Sequence, residues 1–205
     1  MSREEHALGA PPADLTGFPH WLLRRTRSVW RAHRKDRSPW WFASDLTGRF
    51  DLAPPHGTCY LASGYVAAAR ERWGERLSQR GYVMRAMADE TVVSTLSVPR
   101  SHRLADVTNS DAARYGVTRE INTAVPYTVP QQWAAAFADA GLAGVRYEAR
   151  FSTGPQDQSF ALFGPAGAAD WPADPSPRSG ADVAAKAGVQ VLDVPHSVAT
   201  IVPPS

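Results

Sequence analysis

Hydrophobic positions recur along this chain with two different periods, and the switches between them outline its elements. Residues 63–79 carry Val66, Ala69, Trp73 and Leu77 at helical spacing, which puts one apolar stripe against a core, and Ser63 stands where an N-cap belongs. Residues 91–98 alternate and are rich in β-branched types, so they predict a strand that ends at Pro99. A second helix is predicted from Thr128, with Gln131 at capping-box spacing, through Trp133 and Phe137 to a stop at Gly141. Strands follow at 144–150 and 159–163. Shorter ones at 49–51 and 58–61 flank the turn chemistry of Ala53, Pro54, Pro55, His56 and Gly57. A late pair, 189–194 and 198–202, is expected to return to the sheet. Two stretches follow neither period: residues 1–20 are polar and Pro-rich and read as a surface lead-in, and residues 164–180, rich in Pro, Ala and Gly, read as a linker-like loop. No repeat is present. About six or more strands with two or three helices argue one α+β domain around a mixed sheet.

Composition narrows the class. A chain of 205 residues buries roughly 70% of the surface its unfolded form exposes. With 43% hydrophobic and 20% charged residues it is neither extensively disordered nor built to span a bilayer. Apolar runs such as 65–69 fall far short of the roughly 20 residues a span needs. The charged first six residues lead into no apolar stretch, so no secretory leader is expected. The single Cys59 excludes an internal disulfide and a four-cysteine zinc site, and it points to the cytoplasm. Set between Thr58 and Tyr60, it reads as a buried structural thiol rather than a nucleophile.

The net charge of +2 is too weak to imply nucleic acid by itself. Locally, however, Arg24, Arg25, Arg27, Arg31, Arg34, Lys35 and Arg37 face one acid, Asp36, with Trp30, Trp40 and Trp41 in and beside the cluster. Basic residues interleaved with aromatics can grip nucleic acid, so a binding module using residues 24–37 stands as an alternative reading. The six histidines nowhere repeat at i, i+4, and no metal site is expected. No GxGxxG after a strand, P-loop, GxSxG or HExxH occurs.

What remains is an order of short motifs: Trp30-Arg31; Gly48-Arg49-Phe50-Asp51; Gly57-Thr58-Cys59-Tyr60-Leu61-Ala62; Glu71 after Ala67-Ala68-Ala69-Arg70; then Gly144-Val145-Arg146-Tyr147-Glu148-Ala149-Arg150 and Ala161-Leu162-Phe163. This order resembles the RES-domain family, named for arginine, glutamate and serine. Its members degrade NAD, and the best known are the toxins of RES/Xre toxin–antitoxin pairs. The resemblance covers roughly residues 29–163. It implies a curved mixed sheet similar to that of ADP-ribosyltransferase toxins, a catalytic domain over 21–163, and a C-terminal segment, 164–205, that completes the same domain. It also implies NAD as substrate rather than cofactor, inorganic phosphate or water as acceptor with ADP-ribosyl transfer to a macromolecule as the runner-up, and an antitoxin as partner; a homo-oligomer is compatible with it. The family's serine falls at Ala149 here, leaving Ser152 or Ser159 to substitute. A catalytically inactive fold kept for interaction is therefore a further alternative.

The chemistry needs these residue types in any case. Breaking the nicotinamide–ribose bond passes through an oxocarbenium-like transition state with a good leaving group. The site must grip a diphosphate, which arginine forks do, and stabilise positive charge on the ribose, which a carboxylate does. Arg49, Tyr60 and Glu71 are the candidate catalytic residues, with Trp30, Arg31, Arg150, Ser152 and Ser159 as candidates for holding the dinucleotide. Each has a plainer reading: Glu71 as an exposed helix glutamate, Arg49 as a surface partner of Asp51 or Asp45, Tyr60 as core, and Arg31 and Arg150 as solvated arginines.

Overall fold

The alternating segments become strands of one large mixed sheet in a computed structural model that describes residues 8–152 and 157–193. In chain order these are β1 (His20–Leu23), β2 (Val29–Arg34), β3 (Trp41–Phe42) and β4 (His56–Ala62), then helix α1 (Tyr65–Arg80). Next come β5 (Tyr82–Met84), α2 (Arg85–Glu90), β6 (Thr91–Leu96) and β7 (His102–Asp106). After two 3-10 turns follow α3 (Thr128–Asp139), β8 (Gly144–Glu148) and β9 (Gln158–Pro165). The described chain closes with β10 (Gly167–Ala168), β11 (Arg178–Ser179), α4 (Gly180–Lys186) and β12 (Gln190–Leu192). The α+β class read from the sequence is the class observed. Among the described residues no helix is long and apolar enough to cross a membrane.

The eight-stranded sheet has the order β1-β7-β8-β9-β4-β2-β6-β11. All its neighbours are antiparallel except β7 and β8. Its ladders are uneven. β4 and β9 pair along seven residues, from His56↔Pro165 to Ala62↔Ser159, and β2 and β6 along six. Between those two blocks, β2 meets β4 at the single pair Trp30↔Ala62. The sheet therefore splits beyond that point. Arg31 bridges the split with its side chain: Nη1 donates to the carbonyls of Pro39 (2.7 Å) and Trp41 (2.8 Å) and to Cys59 Sγ on β4 (2.9 Å).

Three apolar clusters surround the sheet. Trp133 and Phe137 of α3 pack over Val145 and Tyr147 of β8 and Ala161 of β9. Leu23, Val29, Leu61, Phe160 and Leu162 close on Trp40 and Phe42. Ala67, Ala68, Ala69 and Trp73 of α1 meet Val93 and the Val183–Ala184 step of α4. Helix α1 is interrupted at Gly74, whose φ of 44° and ψ of −124° are non-helical. The Phe151 ring lies where a Cβ at Gly74 would point. Glycine is thus required there by both the backbone turn and the close approach.

Several expectations are corrected. From residue 8 onward the lead-in is not purely surface: Leu8, Leu15 and Phe18 are buried with α3 in the first cluster, while most positions between them stay exposed. The apolar members of a Pro-rich stretch have no period for a sequence reading to detect. Residues 24–37 contain β2, an interior strand of the sheet, and Trp40 is fully buried. Residues 49–51 form a turn, not a strand, since Asp51 closes onto Gly48. Ser63 does not cap α1, whose N-cap is Gly64; its Oγ accepts the Gln158 N–H (2.9 Å) and ties β4 to β9. Thr128 is the first helical residue of α3 rather than its cap. The 164–180 loop contributes β10, paired with β3, and β11 at the sheet edge. Residues 190–192 pair in parallel with β5 in a separate two-stranded sheet and do not return to the large one. The strand expected at 198–202 lies outside the described residues.

Phe18 gives the direct test that the lead-in is core. Its ring packs 5.0 Å from Tyr115 and 4.8 Å from Phe137 between centroids. Phe18→Ala should cost about 3–5 kcal/mol of stability, the usual range for emptying a buried aromatic site. Urea unfolding monitored by tryptophan fluorescence measures it. A loss under about 1 kcal/mol would return residues 8–18 to the surface.

Candidate active site

The turn that carries Arg49 is held from four sides. Gly48 N–H donates to Asp51 Oδ2 (2.8 Å), and the Tyr60 hydroxyl donates to Asp51 Oδ1 (2.8 Å) while accepting the Phe50 N–H (2.9 Å). Thr58 Oγ1 donates to the Phe50 carbonyl (2.8 Å). Gln131 of α3 gives its Nε2 protons to the carbonyls of Leu46 and Gly48, both at 2.9 Å. The glutamine that looked like half of a capping box is thus a clamp on this loop. A Cβ at Gly48 would overlap the Asp51 carboxylate and the Tyr60 hydroxyl, so only glycine fits.

Arg49 projects from that turn and is 8% exposed. Its Nη1 donates to the Ala124 carbonyl (2.7 Å), and its guanidinium carbon lies 4.7 Å from the centroid of the Tyr127 ring. Both contacts fix the fork, and neither neutralises it. Burial lowers its pKa, an effect partly offset by neighbouring groups. Arg49 is therefore no surface partner of Asp45 or Asp51.

Glu71 lies one turn beyond Ala67 and Ala68 on α1, and small neighbours leave its carboxylate open to the cleft. Oε1 accepts the Phe151 N–H (2.7 Å). Burial raises its pKa above the ordinary carboxylate value; the Phe151 and Arg150 backbone amides and the charges of Arg49 and Arg150 pull the other way. Tyr60 is held as a neutral phenol, its pKa pushed up by burial and then by the Asp51 charge. Tyr147, on the cleft wall, is raised likewise by burial and by Glu71.

These groups line one cleft of about 480 Å³ that opens where the sheet splits. Its walls bring together Trp30, Arg31, Arg49, Tyr60, Glu71, Arg150 and Ser159, seven of the eight residues singled out in the sequence. Ser159 is 1% exposed; its Oγ meets the Tyr147 phenol across the β8–β9 pair but completes no hydrogen bond of normal geometry among the described residues. A buried hydroxyl left in that state in a cleft wall calls for a ligand or an ordered water. Ser152, also buried with an unpartnered Oγ, does not line the cleft, and neither does Ala149, which is 7% exposed. Arg150 is exposed, with its guanidinium stacked 5.0 Å from the Phe151 ring centroid. Sequence reasoning missed Asp51, Tyr127 and Phe151. Asp51 and Phe151 sit within or beside the quoted motifs; Tyr127 carried no local signal, because only the fold brings it to Arg49. Among the described residues no group of His, Cys, Asp and Glu is placed to hold a metal ion.

A split mixed sheet with an arginine, a tyrosine and a glutamate converging in the split defines a class: an α+β domain with a nucleotide-sized cleft, charged on both sides. Residues 28–179 match the RES domain, and the chain belongs to the RES-domain family. The fold is similar to that of the MbcT toxin in a crystal structure of the M. tuberculosis MbcT–MbcA toxin–antitoxin complex. The TM-score is 0.61 at 14% identity, over 83% of this chain and 91% of that one. No curated protein sequence matches the chain.

The raised pKa of Glu71 carries a stability consequence. A carboxyl whose folded pKa lies above its unfolded value stabilises the fold at low pH, and that contribution is lost as pH rises through the folded pKa. Ionised Glu71 is thus a net burden at neutral pH. Glu71→Gln keeps an acceptor for the Phe151 N–H without the charge, so its melting temperature should exceed that of wild type at pH 7. The difference should vanish as pH falls through the carboxyl range. A variant less stable at pH 7 would mean that Arg49 and Arg150 outweigh burial.

Proposed function

We propose that this chain cleaves the bond between nicotinamide and ribose in NAD and passes the ADP-ribose to phosphate or water. It would act as a toxin restrained by an antitoxin that covers the cleft. The observation that carries this reading is the convergence of Arg49, Tyr60 and Glu71 in one cleft, with the Ser159 and Tyr147 hydroxyls side by side on its wall. The family membership and the toxin–antitoxin neighbour support it.

The chemistry follows from the charges. As the C1′–N bond breaks, its electron pair neutralises the pyridinium and nicotinamide leaves without a general acid. Positive charge develops on the ribose, and the Glu71 carboxylate, kept free of an ion pair at hydrogen-bond distance, stabilises it. Arg49, its fork fixed by Ala124 and Tyr127, takes the diphosphate. Tyr60, locked by Asp51 and Phe50, presents its ring as a wall for nicotinamide or ribose. Water or phosphate then captures the cation at C1′ and, where water attacks, releases a proton. Ser159, on the cleft wall, supplies the hydroxyl the sequence lacks at Ala149, so the alanine is no ground for an inactive fold. Ionised Glu71 is required, so turnover falls as pH drops through its raised pKa.

Incubation with NAD, with and without phosphate, and measurement of nicotinamide release tests the reading. Glu71→Gln should lower the rate at least 100-fold, about 3 kcal/mol or more in barrier, with the fold intact. Arg49→Lys keeps the charge but not the fork and should also lose activity substantially. Wild-type turnover in both variants would remove them from the mechanism.

Ser159→Ala separates the two serine assignments. Loss of one hydrogen bond to a charged ligand, about 1.5–3 kcal/mol, should slow release markedly, whereas Ala149→Ser should not raise it. An unaffected Ser159→Ala protein would leave that hydroxyl to an ordered water.

A further inference from the structure

A second cavity, of about 630 Å³, lies on the far side of Arg72 from the cleft, and four arginines line it: Arg34, Arg72, Arg76 and Arg80. Arg72, Arg76 and Arg80 come from α1 at intervals of four, and Arg34 comes from the end of β2. Two acids answer them. Asp36 takes Arg34 in a two-bonded pair, at 3.0 and 2.9 Å, and Glu90 faces the cavity as its one acidic lining residue. Arg72 Nε makes a long bond to Thr91 Oγ1 (3.4 Å). Arg76 and Arg80 have no hydrogen-bonding or ion-pair partner among the described residues.

Four like charges are thus gathered around a concavity and only partly offset by Asp36 and Glu90; the pKa of Arg72 is lowered by burial and then by the positive charges of Arg31 and Arg34, with Glu90 and Asp36 pulling the other way. The rest of the lining is apolar or aromatic: Tyr82, Val83, Met84, Ala86 and Met87. The volume falls in the range of small-molecule sites, roughly 300–1,000 Å³. Guanidinium forks above an apolar floor suit a chain of phosphates, with or without a flat ring attached.

We propose that this cavity binds a small oligophosphate ligand, separately from the cleft proposed for NAD. Arg72 lines both cavities and follows Glu71 directly in sequence, so occupancy of one changes the field in the other. A ligand there is positioned to tune turnover. The site does not depend on the NAD reading, because binding to it is measured directly.

The test is calorimetric titration of the full chain with tripolyphosphate and, separately, with ATP, at low and moderate salt. Tripolyphosphate should bind the wild type. Arg76→Ala/Arg80→Ala should weaken that binding at least tenfold while leaving the melting temperature and the basal rate of nicotinamide release unchanged. Arg49→Lys should leave it intact. ATP binding more tightly than tripolyphosphate would identify a nucleotide site that uses Tyr82; equal affinities would identify a plain oligophosphate site, and either supports the proposal. Absence of tripolyphosphate binding, equal affinity in the double variant, loss with Arg49→Lys, or binding of long single-stranded oligonucleotides alone would overturn it.

Discussion

The architecture depends on one interrupted ladder. A continuous sheet has no room for a ligand between its strands, and here β2 and β4 share only Trp30↔Ala62 before they part. The backbone groups released by that parting need other partners. Arg31 spans the gap with its side chain, reaching from β2 to the carbonyls of Pro39 and Trp41 in the intervening segment and to Cys59 on β4. The split is therefore both opened and bridged at the same place. Trp30 and Arg31 form one lip of the cleft and Tyr60 to Ala62 the other. The apolar clusters on either side keep the two blocks of sheet from collapsing together.

The cleft is built at an electrostatic cost borne by the surrounding structure. Glu71 and Asp51 are buried enough to raise their pKa values, and Arg49 enough to lower its own. Among the described residues none of the three is neutralised by an ion pair at hydrogen-bond distance. Asp51 is satisfied by the Gly48 N–H and Tyr60, and so the phenol and the arginine-bearing turn move as a unit. Groups held charged and fixed in this way are preorganised to meet a charged ligand without further rearrangement.

The arginines fall into three roles that their shared charge conceals. Arg31 and Arg146 are structural: the first spans the split, and the second pairs with Asp106 at 2.8 Å. Arg49 and Arg150 face the cleft. Arg76 and Arg80, in contrast, gather at a separate cavity, where among the described residues neither makes an ion pair or hydrogen bond although Glu90 shares the lining. Counted in sequence, all of them contribute alike to a net charge of +2; only their neighbours distinguish them.

Sequence alone determined the class of fold, the helix under Glu71, the β4 and β9 strands, and the order Arg49, Tyr60, Glu71, because periodicity and short motifs are local and survive in one dimension. It also offered Ser159, without distinguishing it from Ser152. It missed the anchoring of Leu8, Leu15 and Phe18 in the core, the 49–51 turn, the caps at Ser63 and Thr128 and the destination of residues 190–192, since each is settled by a partner remote in the chain. Ser63 meets Gln158, Gln131 meets Gly48, Phe18 meets Phe137, and Tyr127 meets Arg49. Burial and charge compensation belong to such pairs. Which serine faces the cleft, which arginine is free and which carboxylate is strained were therefore decided only when tertiary packing brought distant side chains together.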